Sequence, residues 1–291
     1  ALESSVQVLR EYNDYFGTSY PLPKLDMIAV PGTSQFFGAM ENWGAIMYFE
    51  QALLMDPQIS SESDRLNIYE AVAHEMAHQW FGNLVTMEWW DDLWLNEGYA
   101  TWMAEKAAST LRSQWNVPLL TVKWPREFAL QSDASDATHA IVQRVESVDA
   151  ASQAFDAIAY NKGSAVIRML EASLGETGFR DGIRRYVRRY AYDNTVTDQL
   201  WSELASATNR PVIDIARDFT LQPGVPLVKA VAGRCESGRT RVTLTQGRFE
   251  TGTPSPVALT WRIPVTLQAI DSRATTSALL GKDGAPVSVE V

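Results

Sequence analysis

His74-Glu75-Met76-Ala77-His78, with Glu97 following after 18 intervening residues, is the stretch on which the reading of this chain turns. It lies in a segment, Ser63 to Phe81, whose apolar residues Leu66, Tyr69, Val72, Ala73, Met76 and Trp80 recur at helical spacing, with Gly82-Asn83 as the stop signal. On such a helix His74 and His78 stand one turn apart on the same face. Two imidazoles so placed can grip one Zn²⁺, and a catalytic zinc takes three protein ligands and leaves a position for water. Glu97 is the candidate third donor. It opens a second predicted helix, about Asn96 to Ala108, and the turn between Gly82 and Trp94 lets that helix fold back beside the first. Glu75, next to His74, points toward the open position, where a carboxylate can accept a proton from polarised water. The chain has three histidines and two of them are in this motif, which weighs against coincidence. One Zn²⁺ per chain is expected.

Outward from the motif, Leu25 to Val30 and Ala45 to Phe49 read as strands, separated by a loop from Pro31 to Phe37 and a Gly38-Ala39-Met40-Glu41-Asn42 turn. Val6, Leu9, Tyr12 and Phe16 are spaced as on a helix. A helix is predicted from about Ala154 to Leu174, before Gly175, with several more up to about Phe219. After Pro223-Gly224 the pattern changes to alternation, as in Arg241-Val242-Thr243-Leu244-Thr245 and Ile263-Pro264-Val265-Thr266-Leu267. The fold class is therefore α+β: a unit over 1–224 followed by an all-β unit over 225–291. The first residues lack an initiator Met and a signal pattern, and Pro286 to Val291 reads as a strand that stops, so the chain is expected to be a fragment.

Composition narrows the partners. Twenty-five basic against 35 acidic residues give a net charge of −10, which argues against nucleic acid and is compatible with a cationic ligand. No apolar run approaches the roughly 18 residues that span a bilayer. Cys235 is the only cysteine, so no internal disulfide exists, and neither compartment nor oligomeric state is encoded in these patterns. Arg180, Arg184 and Arg188, with Arg185 and Arg189, read as a solvated helix face pairing with carboxylates. Trp89, Trp90, Trp94 and Trp102 read as packing around Glu97, and Asp91, Asp92 and Thr101 as groups able to orient a ligand.

Gly38-Ala39-Met40-Glu41-Asn42 and Phe155-Asp156-Ala157-Ile158-Ala159-Tyr160-Asn161-Lys162-Gly163, together with the zinc motif, resemble the aminopeptidase N family of gluzincin metallopeptidases. Tyr20 to Asp26 and Leu221 to Leu227 extend the resemblance over most of the chain. It implies a thermolysin-like domain, with a small mixed β-sheet lobe and a helical lobe, followed by a partial β-sandwich. The family's N-terminal β domain and C-terminal helical domain are absent from this stretch. The resemblance also implies a substrate, peptides with a free amino terminus. Glu41 would bind the α-ammonium from an edge strand, Gly38 and Ala39 would offer backbone groups, and Met40 and Asn42 complete that segment. Tyr160 would donate to the oxyanion. His139 falls where the family has a His-Pro pair, but Ala140 follows it here, and it is read as structural. Three alternatives remain: an endopeptidase with the same zinc set and no use for Glu41, an epoxide hydrolase activity found in one branch, and a non-catalytic interaction module.

Overall fold

The computed structural model describes residues 1–34, 37–252, 257–270, 275–283 and 285–290. Helix α1 (Leu2–Phe16) buries Val8, Tyr12, Tyr15 and Phe16, and stops at Gly17, whose left-handed φ of 59° lets its N–H reach back to the carbonyls of Asn13 and Asp14. Strands β1 (Asp26–Val30), β2 (Ala39–Met40) and β3 (Ala45–Phe49) form a sheet in the order β1-β3-β2, with β1 parallel and β2 antiparallel to β3. This places β2 at an edge. The predicted 31–37 loop includes residues 35 and 36, which lie outside the described residues.

After the short α2 (Glu50–Leu53) comes α3 (Glu62–Ala77), which carries the zinc motif. A capping box starts it: the Ser61 hydroxyl accepts from the Asp64 N–H, and the Asp64 carboxylate from the Ser61 N–H. It ends four residues earlier than the spacing predicts. Beyond Ala77 the chain tightens into i→i−3 bonds, Gln79 N–H to Met76 and Trp80 N–H to Ala77, before turning at Gly82. Trp80 is fully buried and donates to the Thr18 carbonyl, with Tyr12, Phe16 and Tyr20 around its ring.

Strand β4 (Val85–Met87) leads to α4 (Trp94–Leu111). This helix is buried on nearly every side from Trp94 to Ala108, as its run of Ala, Gly and aromatic residues requires, and it is the axis on which α3 and the later helices pack. Helices α5 (Val117–Thr121), α6 (Glu127–Asp133) and α7 (Val148–Gln153) follow. The helix predicted from Ala154 is instead a bend, then a five-residue π-helical turn, Ile158–Lys162, then α8 (Gly163–Leu174). The Asp156 carboxylate causes the restart, accepting from the N–H groups of Ile158 and Ala159. Helix α9 (Glu176–Tyr190), β5 (Asp193–Thr195, parallel to β4), α10 (Thr197–Thr208) and α11 (Val212–Thr220) complete the helical part. On α9, Arg185 and Arg189 pair with Glu203, and Arg184 donates to the carbonyls of Asp14 and Tyr15.

From Val225 the regular elements among the described residues are all strands. The strands β6 (Val225–Glu236) and β7 (Arg239–Phe249) make a long hairpin that turns at Ser237-Gly238, both at positive φ. Strand β10 (Val287–Glu290) adds to β7, and β8 (Ile263–Gln268) pairs with β9 (Thr275–Leu280). Leu244, Trp261, Ile263, Leu280 and Val289 belong to the same apolar cluster as the helices. Buried Asp218 of α11 bonds Arg262 and Lys282, both at 2.9 Å, across the junction. Among the described residues no helix is long and apolar enough to cross a membrane.

Candidate metal centre

The packing of α3 on α4 brings together the three residues that the motif singled out. His74 Nε2 and His78 Nε2 are 3.0 Å apart, and Glu97 Oε2 is 3.3 Å from the first and 3.4 Å from the second. A tetrahedral zinc with bonds of about 2.0–2.2 Å separates its donors by about 3.3–3.6 Å; both edges to Glu97 match, and the His74–His78 edge of 3.0 Å would open slightly around the ion. The tautomer of His78 fits too. Its Nδ1 lies 2.9 Å from the Phe81 carbonyl and donates to it, which leaves Nε2 as the nitrogen turned toward the other two donors. Gly82 makes this turn possible: its φ is 126°, and a Cβ there would stand 3.2 Å from His78 Nδ1. Thr101 Oγ1 is 3.5 Å from His74 Nδ1, too long for a good hydrogen bond.

Electrostatically the cluster is poised for a cation. Burial works against a charged His78 ring, but the Glu97 carboxylate outweighs it and pushes the ring up to about 10. Burial alone would raise Glu97; the two imidazoles hold it well below the usual carboxylate range instead. His74 is lowered, chiefly by burial. Glu75, 8 % exposed, has one buried carboxylate oxygen, Oε2, with no hydrogen-bond partner among the described residues. Burial lifts its carboxyl to about 8, with His78 opposing and Glu41 and Glu97 adding. Ligating atoms of Glu41, Glu75 and His78 lie within 4.8 Å of one another. Glu41 therefore stands beside the centre, on the backbone that leaves the edge strand β2. Gly38 accepts at its carbonyl from Phe49 N–H, Ala39 and Met40 pair with Tyr48 and Met47 of β3, and the Asn42 carbonyl accepts from Ala45 N–H.

Tyr160 arrives from the opposite side. Its ring stacks at 6.0 Å and 11° on His74, and burial followed by the Glu97 carboxylate holds its hydroxyl protonated far above the usual phenol range. Two glycines allow this approach. A Cβ on Gly98, next to Glu97, would meet the Ala159 carbonyl at 3.2 Å and the Gly163 backbone at 3.3 Å. His139 holds the same segment, with Nε2 2.7 Å from Asp156, the carboxylate that caps the Tyr160 turn. Lys162, two residues after Tyr160, is buried against Asp133 at 2.8 Å and donates to the Gly224 carbonyl.

Other expectations are redistributed. Trp94 and Trp102 are buried, but Trp89 and Trp90 are 58 % and 36 % exposed; Trp89 donates to the Val145 carbonyl and Trp90 packs on Phe155. Asp91 and Asp92 hold loops, accepting from the Val145 N–H and from Thr197. The sequence reading missed Gln79 and Asn83. Gln79 Nε2 and Asn83 Nδ2 both donate to the Glu41 carbonyl, at 3.2 and 2.8 Å.

Comparison with known proteins gives a consistent result. The family model described as the peptidase family M1 domain matches residues 1–219. Aminopeptidase M1-C of Oryza sativa subsp. japonica is 41% identical over 272 residues, 92% of this chain and 29% of that protein. Probable aminopeptidase 2 of Sulfurisphaera tokodaii is 38% identical over all of this chain and 36% of its own length. Leucyl aminopeptidase of Saccharolobus solfataricus is 40% identical over 94% of this chain and 34% of its own. The chain thus spans about a third of the length of these curated relatives.

Proposed function

Because this chain belongs to peptidase family M1, we propose that it carries the catalytic apparatus of a zinc-dependent aminopeptidase acting on peptides with a free amino terminus. The observation that carries the reading is the convergence of His74, His78 and Glu97 to within 3.4 Å, with the Glu75 and Glu41 carboxylates beside them. His74, His78 and Glu97 would hold the ion. When bound, Zn²⁺ supplies Lewis acidity and lowers the pKa of water.

The chain's own residues then divide the work. Glu75, with an unpartnered buried oxygen, accepts the proton of the attacking water and returns it to the leaving amine. The Tyr160 hydroxyl, held protonated, donates to the carbonyl oxygen as charge develops there. Glu41 pairs with the α-ammonium and so fixes the cut one residue from the end, while the free edge of β2, with Gly38, Ala39 and Met40, receives the peptide backbone. The charge sum agrees: three carboxylates, Glu41, Glu75 and Glu97, face a dication and an ammonium. We place the domain division at about residue 224, with β2 and its sheet as the small lobe of a thermolysin-like arrangement and α3–α11 as the helical lobe.

The test is a panel of free and N-blocked amino-acid anilides run on wild type and Glu75→Gln. Turnover of the free series only, abolished in Glu75→Gln with zinc retained, is the expected result. Equal turnover of blocked substrates would make it an endopeptidase, and zinc binding without any turnover would favour an interaction module.

A further inference from the structure

The backbone that carries Glu41 is fastened to the metal helix by two side chains that the chemistry above leaves unused. Gln79, adjacent to His78 and fully buried, donates from Nε2 to the carbonyls of Glu41 and Glu75, both at 3.2 Å. Its Oε1 accepts from the Gly44 N–H at 3.3 Å. Asn83 Nδ2 donates to the same Glu41 carbonyl at 2.8 Å, and its backbone N–H bonds the His78 carbonyl at 2.9 Å. The ring of His78 is oriented by Phe81 of this turn. One short turn therefore holds both a metal ligand and the residue proposed to bind the amine. Strand β2 contributes Ala39 and Met40 to ladder pairing, and past Met40 the backbone is held by these side-chain bonds, by the Asn42–Ala45 turn, by the Asp26 N–H on the Gly44 carbonyl and by Trp43 against Tyr192.

We propose that Gln79 and Asn83 are positioning residues that set the distance from the Glu41 carboxylate to the metal ligands, and thereby the one-residue register of cleavage. This deepens, and rests on, the reading of Glu41 as the amine anchor. The Glu41 carbonyl receives both donors, and its carboxylate belongs to the same residue. Loosening the carbonyl moves the carboxylate relative to His78. A ligand that engages both the ion and the ammonium site feels that shift, because two-point binding depends on a fixed separation. A ligand that engages the ion alone does not.

The experiment measures dissociation constants by calorimetry on the zinc-loaded full chain with two hydroxamates, one bearing an α-amine and the other identical but lacking it. Asn83→Ala should lower the preference for the amine-bearing ligand about fivefold, the worth of one neutral hydrogen bond, with Gln79→Met at least equal. Affinity for the amine-free ligand and zinc content should not change. Glu41→Gln should abolish the preference. If Glu41→Gln leaves the preference intact, the amine-anchor reading fails and the clamp falls with it. If Glu41→Gln abolishes it while Asn83→Ala and Gln79→Met do not, the clamp alone is wrong. Parallel loss for both ligands, or loss of zinc, makes these residues merely structural and overturns the proposal. Asn83 lies in a half-buried turn, so its variant remains informative if the fully buried Gln79→Met does not fold.

Discussion

The two walls of the site are built by opposite means. His74 and Glu97 stand on long helices, and His78 caps the first of them, with Trp80, Trp94, Tyr99 and Trp102 of the surrounding core at 0–1 % exposure. Glu41 leaves a two-residue edge strand, and side-chain hydrogen bonds fix its backbone. A buried helix pair holds its side chains through many small contacts, none decisive alone. A polar clamp concentrates the same task in a few bonds, each worth about 1 kcal/mol. The metal wall should therefore resist single changes outside its ligands and its closest backbone contacts, while the amine wall should be tunable one residue at a time.

Tyr160 gives the largest expected break in that contrast, because it is a single donor projecting from the helical side. Tyr160→Phe should reduce kcat by about 10²–10³ with little change in KM, as removal of one oxyanion donor does. Steady-state kinetics on free-amine anilides check it. Gly98→Ala tests the helix side by its packing. The added Cβ meets backbone at 3.2–3.3 Å, where nothing flexible can yield. Stability should fall by about 1–3 kcal/mol, as measured by denaturant titration, and activity should fall with it because the Tyr160 turn is pushed away from Glu97.

The smallest effect is a pH dependence of the metal-free chain. Glu75 and His78 are both held above their ordinary values, at about 8 and about 10. A group raised in this way stabilises the fold fully below its unfolded value and loses that contribution as the pH climbs through the folded one. The metal-free chain should therefore lose thermal stability between about pH 4.5 and 8 through Glu75 and between about pH 6.5 and 10 through His78. The zinc-loaded chain, its imidazoles already deprotonated, should vary less over the same range. Calorimetric scans of both forms sharpen the comparison, since the titrating groups belong to the metal wall.

The same contrast explains what could be read in advance. The convergence of His74, His78 and Glu97 was legible because helical periodicity places i and i+4 on one face and two helices joined by a short turn pack side by side. The strands Asp26–Val30 and Ala45–Phe49 and the switch to β structure at Val225 followed from alternation and turn residues. Glu41 and Tyr160 were named as candidates only through family motifs, because an edge-strand exit and a capped π-helical turn have no periodic signature. The break before Tyr160 was missed because Asp156 caps a turn inside what reads as an unbroken apolar pattern. Gln79 and Asn83 were missed because long-range side-chain to backbone bonds, spanning 38 and 42 residues, leave no trace in local spacing.

Zinc stoichiometry measured by mass spectrometry on the purified chain, beside Glu97→Ala and Glu75→Gln, tests the central claim most directly. One zinc per chain in wild type and in Glu75→Gln, with a severe loss in Glu97→Ala, is the predicted result. A wild-type chain without stoichiometric zinc, or a Glu97→Ala chain that binds it undiminished, would contradict the account.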